Sequence, residues 1–338
     1  MMKKLVASRW GWMLLLAMSL VISCIAVLSG SSDIGFLWNT EVGQNIIWQI
    51  RVPRVLLAFV VGASLSLAGA LIQSIVRNPL ADPGLIGVSG GAALGAAIVI
   101  VFFETLNIHI IPAHYLIPVA AFMGGLLATM AVLKLGKGNT SQADAGSSAA
   151  LLILAGIAIN VVAASLIGLL SYLASDSALR HITFWSLGSL ASANYFWVVL
   201  CSLALALVCI WLPAQRRKLD AILLGPAEAQ TMGVDVKRLH KHSIVALSLL
   251  AALAVSACGI IGFVGLVTPH ISRMLVGASH QYLLVLSFFL GGCLLVVADT
   301  FARTIIAPAE LPIGIVTALV GAPVFIWLLV REGRRLQW

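Results

Sequence analysis

Charge is the scarcest property of this sequence. Only 9% of its 338 residues are charged, whereas 61% are hydrophobic. Soluble domains carry about 25% charged residues, so the shortage indicates an integral membrane protein. Apolar runs recur along the chain, and a helix of about 20 such residues is long enough to cross a hydrocarbon core. The short alternating segments that are typical of membrane β-barrels are missing.

Cysteine is also scarce. The five cysteines all lie within apolar runs and form no CxxC pair, which favours small buried side chains over disulfides or metal ligands. We therefore predict no metal site. Lys3, Lys4 and Arg9 precede the first apolar run and resemble the start of a signal peptide. The run at 12–28 is longer than a signal-peptide core, so we interpret it as an uncleaved first span.

The predicted spans contain almost no ionisable residues, although ion-driven transporters usually place such residues at membrane depth. The sequence also lacks a TVGYG filter, a GxxxxGK nucleotide loop and an HExxH pair. These absences disfavour a selective channel, an ATPase and a membrane metalloenzyme. A transporter without its own energy source needs a partner that supplies it. An ion-coupled secondary transporter remains the alternative from a different class.

Hydrophobicity predicts nine long spans, near 12–29, 54–76, 85–103, 114–135, 149–172, 194–212, 243–266, 281–299 and 312–330. Nine crossings would leave the basic C-terminal tail on the opposite side from the basic interval at 213–242. Basic segments concentrate on the cytoplasmic side, so an even number is required. We therefore predict that 267–279 makes a short additional crossing. The fold class is thus an all-α polytopic membrane protein with ten transmembrane helices.

This topology places both termini in the cytoplasm and sixteen of the twenty Lys and Arg residues on that side. The exceptions on the outer side are Arg51, Arg54, Arg180 and Arg303. Orientation in the membrane accounts for the net charge of +8 better than nucleic acid binding does, and we expect no nucleic acid partner.

The long polar interval at 213–242 separates two strongly apolar regions. It holds six Lys and Arg residues, and its central part, 223–236, has the pattern of a short helix. Gly225 and Pro226 suit the start of that helix, and Gly233 suits its end. A structured helix is more than a connector between two spans requires, so this segment is a candidate contact for a soluble partner.

Four blocks of the chain resemble the FecCD permeases, which are the membrane subunits of ABC importers for iron–siderophore complexes, haem and cobalamin. The first is RVPRVLLAFVVGASLSLAGALIQSIVRNPLADPGLIGVSGGA at 51–92. The others are 223–234, GIIGFVGLVTPHISR at 259–273, and AELPIGIVTALVGAPVFIWLL at 309–329. They occur in the family's order and cover nearly the whole chain.

The resemblance implies a single transmembrane permease domain over 1–338 with the fold of the cobalamin permeases, in a bacterial inner membrane and surrounded by membrane lipid. It implies a second copy of the chain, two cytoplasmic ABC ATPase subunits and a periplasmic substrate-binding protein as partners. ATP hydrolysis would belong to the ATPase subunits, so the chain would not be an enzyme. No resident cofactor is implied, because the iron complex is the transported substrate.

Family likeness also suggests roles for individual residues. The segment at 223–236 resembles the loop by which importer permeases contact their ATPase, and its coupling candidates are Gly225, Pro226, Glu228, Ala229, Met232 and Gly233. The outer arginines Arg51, Arg54 and Arg303 are candidates for docking acidic residues of the binding protein. Interfacial positions, or pairing with Glu41, Asp33 or Glu310, are the alternative for these arginines.

Within the family, ITFWSLGSLASA at 182–193 most resembles the haem permeases, with ferric-siderophore and cobalamin permeases as alternatives. Haem offers an iron for imidazole and propionates for guanidinium groups. Arg180 and His181 are therefore candidates for the substrate pathway, although His181 could equally be structural.

Overall fold

The computed structural model describes residues 8–30, 40–105, 113–136 and 145–335, and these form helices with no strand among them. The long helices are α1 (Arg9–Leu28), α2 (Glu41–Val76), α3 (Val88–Thr105), α4 (Ala113–Leu135), α5 (Ala145–Leu173), α7 (Tyr195–Leu224), α9 (Val236–Cys258), α11 (His280–Thr304) and α12 (Ile313–Arg335). The short ones are a 3-10 turn (Pro83–Ile86), α6 (Asp176–Ser186), α8 (Pro226–Thr231) and α10 (Val264–Val276).

Eight helices of the described part are long and apolar enough to cross a membrane, and Val88–Phe103 in α3 is a shorter apolar helix. The all-α, polytopic membrane fold is therefore confirmed. Helix α10 has 13 residues, a length of about 20 Å at 1.5 Å per residue, which is shorter than a bilayer core. The count of ten crossings, which depends on α10, stays a prediction.

Three predicted segments had wrong boundaries. The span predicted at 54–76 begins at Glu41 instead. The span predicted at 243–266 begins earlier and ends at Cys258, because Gly259 and Phe263 adopt positive φ angles of 71° and 67° that a helix cannot continue through. The predicted loop at 213–242 is also largely helical. Helix α7 continues to Leu224, since Lys, Arg and Leu are strong helix formers that extend a helix beyond its apolar part.

Helix α2 forms the centre of the molecule. In its most apolar stretch of 18 residues 83% of the residues are buried, whereas the corresponding share is 17% in α1 and in α5. Helix α2 packs against α7, α9, α10 and α11. Small residues make these contacts close: a Cβ on Gly69 would overlap the backbone of Gly265 in α10, and one on Gly62 would overlap Gly291 in α11. Such close approach is typical of membrane helices, which gain no hydrophobic drive from lipid.

The long helices define two ends of the molecule. The loop end contains α8, the C-terminal parts of α2 and α7 and the N-terminal part of α11. The arginine end contains Arg51, Arg54 and Arg303, where the C-terminal part of α1 and the N-terminal part of α2 meet the last turn of α11.

Candidate functional site

Helix α8 has well-defined ends. It begins after Gly225, whose φ of 142° suits glycine, and Pro226 occupies the first turn. At its other end Gly233 has a φ of 80°, and the Val234 amide donates to the Ala229 carbonyl at 2.9 Å. A second bond runs from the Gly233 amide to the carbonyl three residues before it. This pair is a Schellman termination, so the predicted glycine–proline start and glycine end of the helix are confirmed.

The two faces of α8 differ in exposure. Ala229 is fully buried and belongs to the same apolar cluster as Leu219 and Ile222 of α7. Glu228 and Met232 are exposed, the latter to 64%. Gly233 is also exposed. Helix α8 therefore rests on α7 and presents a mixed acidic and apolar surface outward.

A chain of polar contacts joins three helices beside α8. The His280 backbone amide and its ring Nδ1 both lie within hydrogen-bond distance of Asp220 Oδ1, at 2.8 and 2.7 Å. His280 Nε2 lies 2.6 Å from Ser74 Oγ. Asp220 is on α7, His280 starts α11 and Ser74 is near the end of α2. Sequence reasoning missed this chain, because its members are far apart along the sequence.

Arg54 forms a dense ion-pair network at the arginine end. Its guanidinium donates to both carboxylate oxygens of Asp299, at 2.9 to 3.1 Å, and to Glu310, at 2.9 and 3.0 Å. The Arg54 side chain is 8% exposed and that of Asp299 is 1%, whereas Glu310 is 41% exposed. The alternative pairing of this arginine with Glu310 is therefore confirmed.

The other two arginines of this end are also buried. Arg303 lies 3.6 Å from Asp299 through its Nε and bonds the Ala26 carbonyl of α1. Arg51 donates to the Val27 and Leu28 carbonyls of α1 at 3.0 Å. The three guanidinium groups therefore fasten α1 and α2 to α11, and their docking role stays a prediction. Glu310 is the charged group that this network leaves open to the surface.

Arg180 and His181 are both exposed on α6, a helix that the sequence analysis did not predict. Ser175 caps α6, and Ala178 and Ile182 anchor it in an apolar cluster with α3. This amphipathic spacing could have revealed the helix. No group of three or more potential metal ligands occurs within the described ranges.

A cavity of about 530 Å³ lies between α4, α6 and the end of α9. Five aromatic side chains form part of its wall: Tyr115, Phe184, Trp185, Phe196 and Trp197. Hydroxyl and amide groups of Ser189, Ser192, Asn194 and Ser256 also line it, whereas Arg180 and His181 do not. Such a cavity can hold a large flat molecule by stacking.

The break between α2 and α3 is a fixed turn. Asp82 Oδ1 accepts a hydrogen bond from the Gly84 amide at 2.7 Å, and the Asn160 side chain of α5 donates to the Gly84 carbonyl at 2.9 Å. Burial raises the pKa of the Asp82 carboxyl, and the hydrogen bond from Gly84 opposes that shift. The turn is therefore tied to α5.

Comparison with known proteins places this geometry among transport proteins. Residues 9–331 match the FecCD transport family. The hemin transport system permease protein HmuU of Yersinia pestis is 39% identical, over 95% of both chains. The vitamin B12 import system permease protein BtuC of Vibrio cholerae is 37% identical, over 88% of both chains. A solved structure of a metal-chelate type ABC transporter in an inward-facing conformation superposes with a TM-score of 0.83 at 32% identity, covering 95% of this chain and 98% of the other.

Proposed function

Because this chain belongs to the FecCD transport family and is a multi-pass ABC importer permease, we propose that it carries an iron complex, haem, into the cytoplasm of a bacterium. It would work in the inner membrane as a pair of identical permease subunits. Two cytoplasmic ATPase subunits would supply the energy, and a periplasmic binding protein would deliver the substrate.

The basic residues support the orientation of the permease. The C-terminal part of α7 and the first turns of α9 carry Arg216, Arg217, Lys218, Lys237 and Arg238. These positions belong to the loop end, and the positive-inside rule puts them in the cytoplasm. The arginine end then faces outward, and both termini would be cytoplasmic.

Helix α8 is the proposed contact with the ATPase. Its exposed Glu228, Met232 and Gly233 would insert into the partner, while buried Ala229 keeps the helix on α7. Gly225 and Pro226 set the angle at which α8 leaves α7. A displacement of α8 by ATP binding would therefore move α7 with it, and rocking of the helices would open the path alternately to each side.

The arginine end is the proposed contact with the binding protein. Glu310 is half-exposed and pairs with Arg54, so an acidic residue of a docked protein would compete with Glu310 for that guanidinium. Charge pairs of this type contribute orientation and association rate more than affinity.

Haem is the substrate that the observations favour. The relative named for hemin transport aligns over 95% of both chains, and the aromatic cavity suits a planar ring system. Arg180 and His181 lie on the same helix as Phe184 and Trp185 of the cavity wall, and they would meet the propionates and the iron without the strong ligation that would prevent release. A cobalamin or ferric-siderophore substrate is the second candidate, favoured by the relative named for vitamin B12 import and the metal-chelate transporter structure.

Uptake assays decide between these substrates. A strain lacking this permease should lose uptake of labelled haem and keep uptake of ferric siderophores and cobalamin. Unchanged haem uptake in that strain would contradict the proposal. Arg180→Gln should raise the haem concentration needed for half-maximal uptake, and Lys218→Gln, an exposed change at the loop end, is the control.

Co-purification tests the ATPase contact. Glu228→Ala with Met232→Ala should release the ATPase subunits from the purified permease, because Glu228 is exposed on α8 and Met232 is exposed directly after it. Lys218→Gln is again the control and should retain them. Retention by the double variant would contradict the role of α8.

A further inference from the structure

The contacts among Ser74, His280 and Asp220 join two buried groups to one partly exposed carboxylate. Ser74 is fully buried, and the His280 side chain is 0% exposed while that of Asp220 is 39% exposed. Buried groups that keep their hydrogen bonds are expensive to separate, because each loses a partner without gaining water.

Serine, histidine and aspartate in this order are also the components of a hydrolytic triad. The enclosure excludes that role here, since Ser74 Oγ has no opening through which an acyl substrate could reach it. Ser74 Oγ lies 2.6 Å from both the Ala70 carbonyl of its own helix and His280 Nε2, and its single proton can be donated to only one of these acceptors. The arrangement is therefore a connection between helices.

The contacts of Asp220, His280 and Ser74 connect the start of α8 to the core of the molecule. Asp220 lies in α7 one turn before Gly225, where α8 begins. Its carboxylate accepts the His280 backbone amide at the first turn of α11, which is the favourable end of a helix for a negative charge. Ser74 then continues the connection into α2, the central helix.

The same two helices are joined again at the arginine end by Arg54 of α2 and Asp299 of α11. From Ser74 to Arg54, and from His280 to Asp299, each helix extends about 30 Å at 1.5 Å per residue, which is the thickness of the hydrocarbon core. Helices α2 and α11 are thus held together by polar contacts near both membrane surfaces. Apolar packing between them is non-directional, whereas hydrogen bonds fix the register.

We propose that Asp220, His280 and Ser74 are positioning residues that transmit the displacement of α8 to α2 and α11, and through them to the arginine end. This proposal rests on the proposed function, because it takes α8 as the contact with the ATPase. Loss of the connection should leave the ATPase bound and active. Its ATP hydrolysis should then respond less to docking of the binding protein at the arginine end.

The test uses the complete complex of permease, ATPase and binding protein in lipid vesicles. Asp220→Ala removes the acceptor for both His280 donors, and Ser74→Ala removes the contact with Nε2. Each should lower the transported haem per ATP, and the stimulation of ATPase activity by the binding protein, by about fivefold or more, the lower range of allosteric coupling. The double variant should be little worse than either single one, because both break one connection.

Asp220→Asn is the conservative variant and Lys218→Gln the control on the same helix. Asparagine keeps an oxygen that can accept from His280, so it should restore most of the haem transported per ATP. Unchanged coupling in Asp220→Ala would overturn the proposal. Failure of the wild-type permease to retain its ATPase would instead contradict the proposed function.

Discussion

At the scale of single residues, buried charged side chains at the arginine end hold helices α1, α2 and α11 together. Asp299 is 1% exposed and contacts both Arg54 and Arg303. The sequence indicated that these arginines are exceptions on the outer side, and it named Glu310 as a possible partner. It could not identify Asp299, because residues 245 positions apart meet only after α2 and α11 have packed.

Asp299→Asn should destabilise the permease strongly, because two buried guanidinium groups lose their shared carboxylate. Breaking a buried ion pair costs about 3–5 kcal/mol. Glu310→Gln is the matched control, and its half-exposed pair should cost about 1 kcal/mol or less. Thermal unfolding of the purified permease in detergent measures both. Equal losses of thermal stability in Asp299→Asn and Glu310→Gln would show that Asp299 does not hold the network together.

At the scale of elements, small residues and glycine caps determine how the helices meet and end. Glycines bring α3 close to α4, where Gly91 and Gly95 of α3 contact Gly124 and Ala120 of α4. The end of α9 and the extension of α7 were missed. Hydropathy marks where lipid contact is favourable, and it carries no information about polar turns that continue a helix into water.

Gly69→Ala should destabilise the packing of α2 on α10, since its Cβ would overlap the Gly265 carbonyl. Overpacking of this type costs about 1–3 kcal/mol. Gly168→Ala in α5 is the matched control, because no atom lies within 4 Å of its Cβ, and alanine favours a helix over glycine. The thermal unfolding temperature should fall for Gly69→Ala and should not fall for Gly168→Ala. The opposite order would contradict the assigned packing of α2.

At the scale of the whole molecule, the shortage of charged residues agrees with the proposed external energy source. Most of the fold class could be predicted from the sequence, because apolar runs of span length report the all-α membrane architecture directly. The aromatic cavity and the chain through His280 could not be predicted, since both arise from side chains on helices that are distant in sequence. Substrate identity also depends on such assembled surfaces, which composition does not report.

The permease should depend entirely on its ATPase, and reconstituted vesicles test this dependence most directly. Haem uptake into vesicles that contain the permease, the ATPase and the binding protein should require ATP hydrolysis and stop when the ATPase is omitted. A proton gradient alone should give no uptake, because an ABC importer permease draws its energy from a partner ATPase. Uptake driven by that gradient without the ATPase would contradict the account.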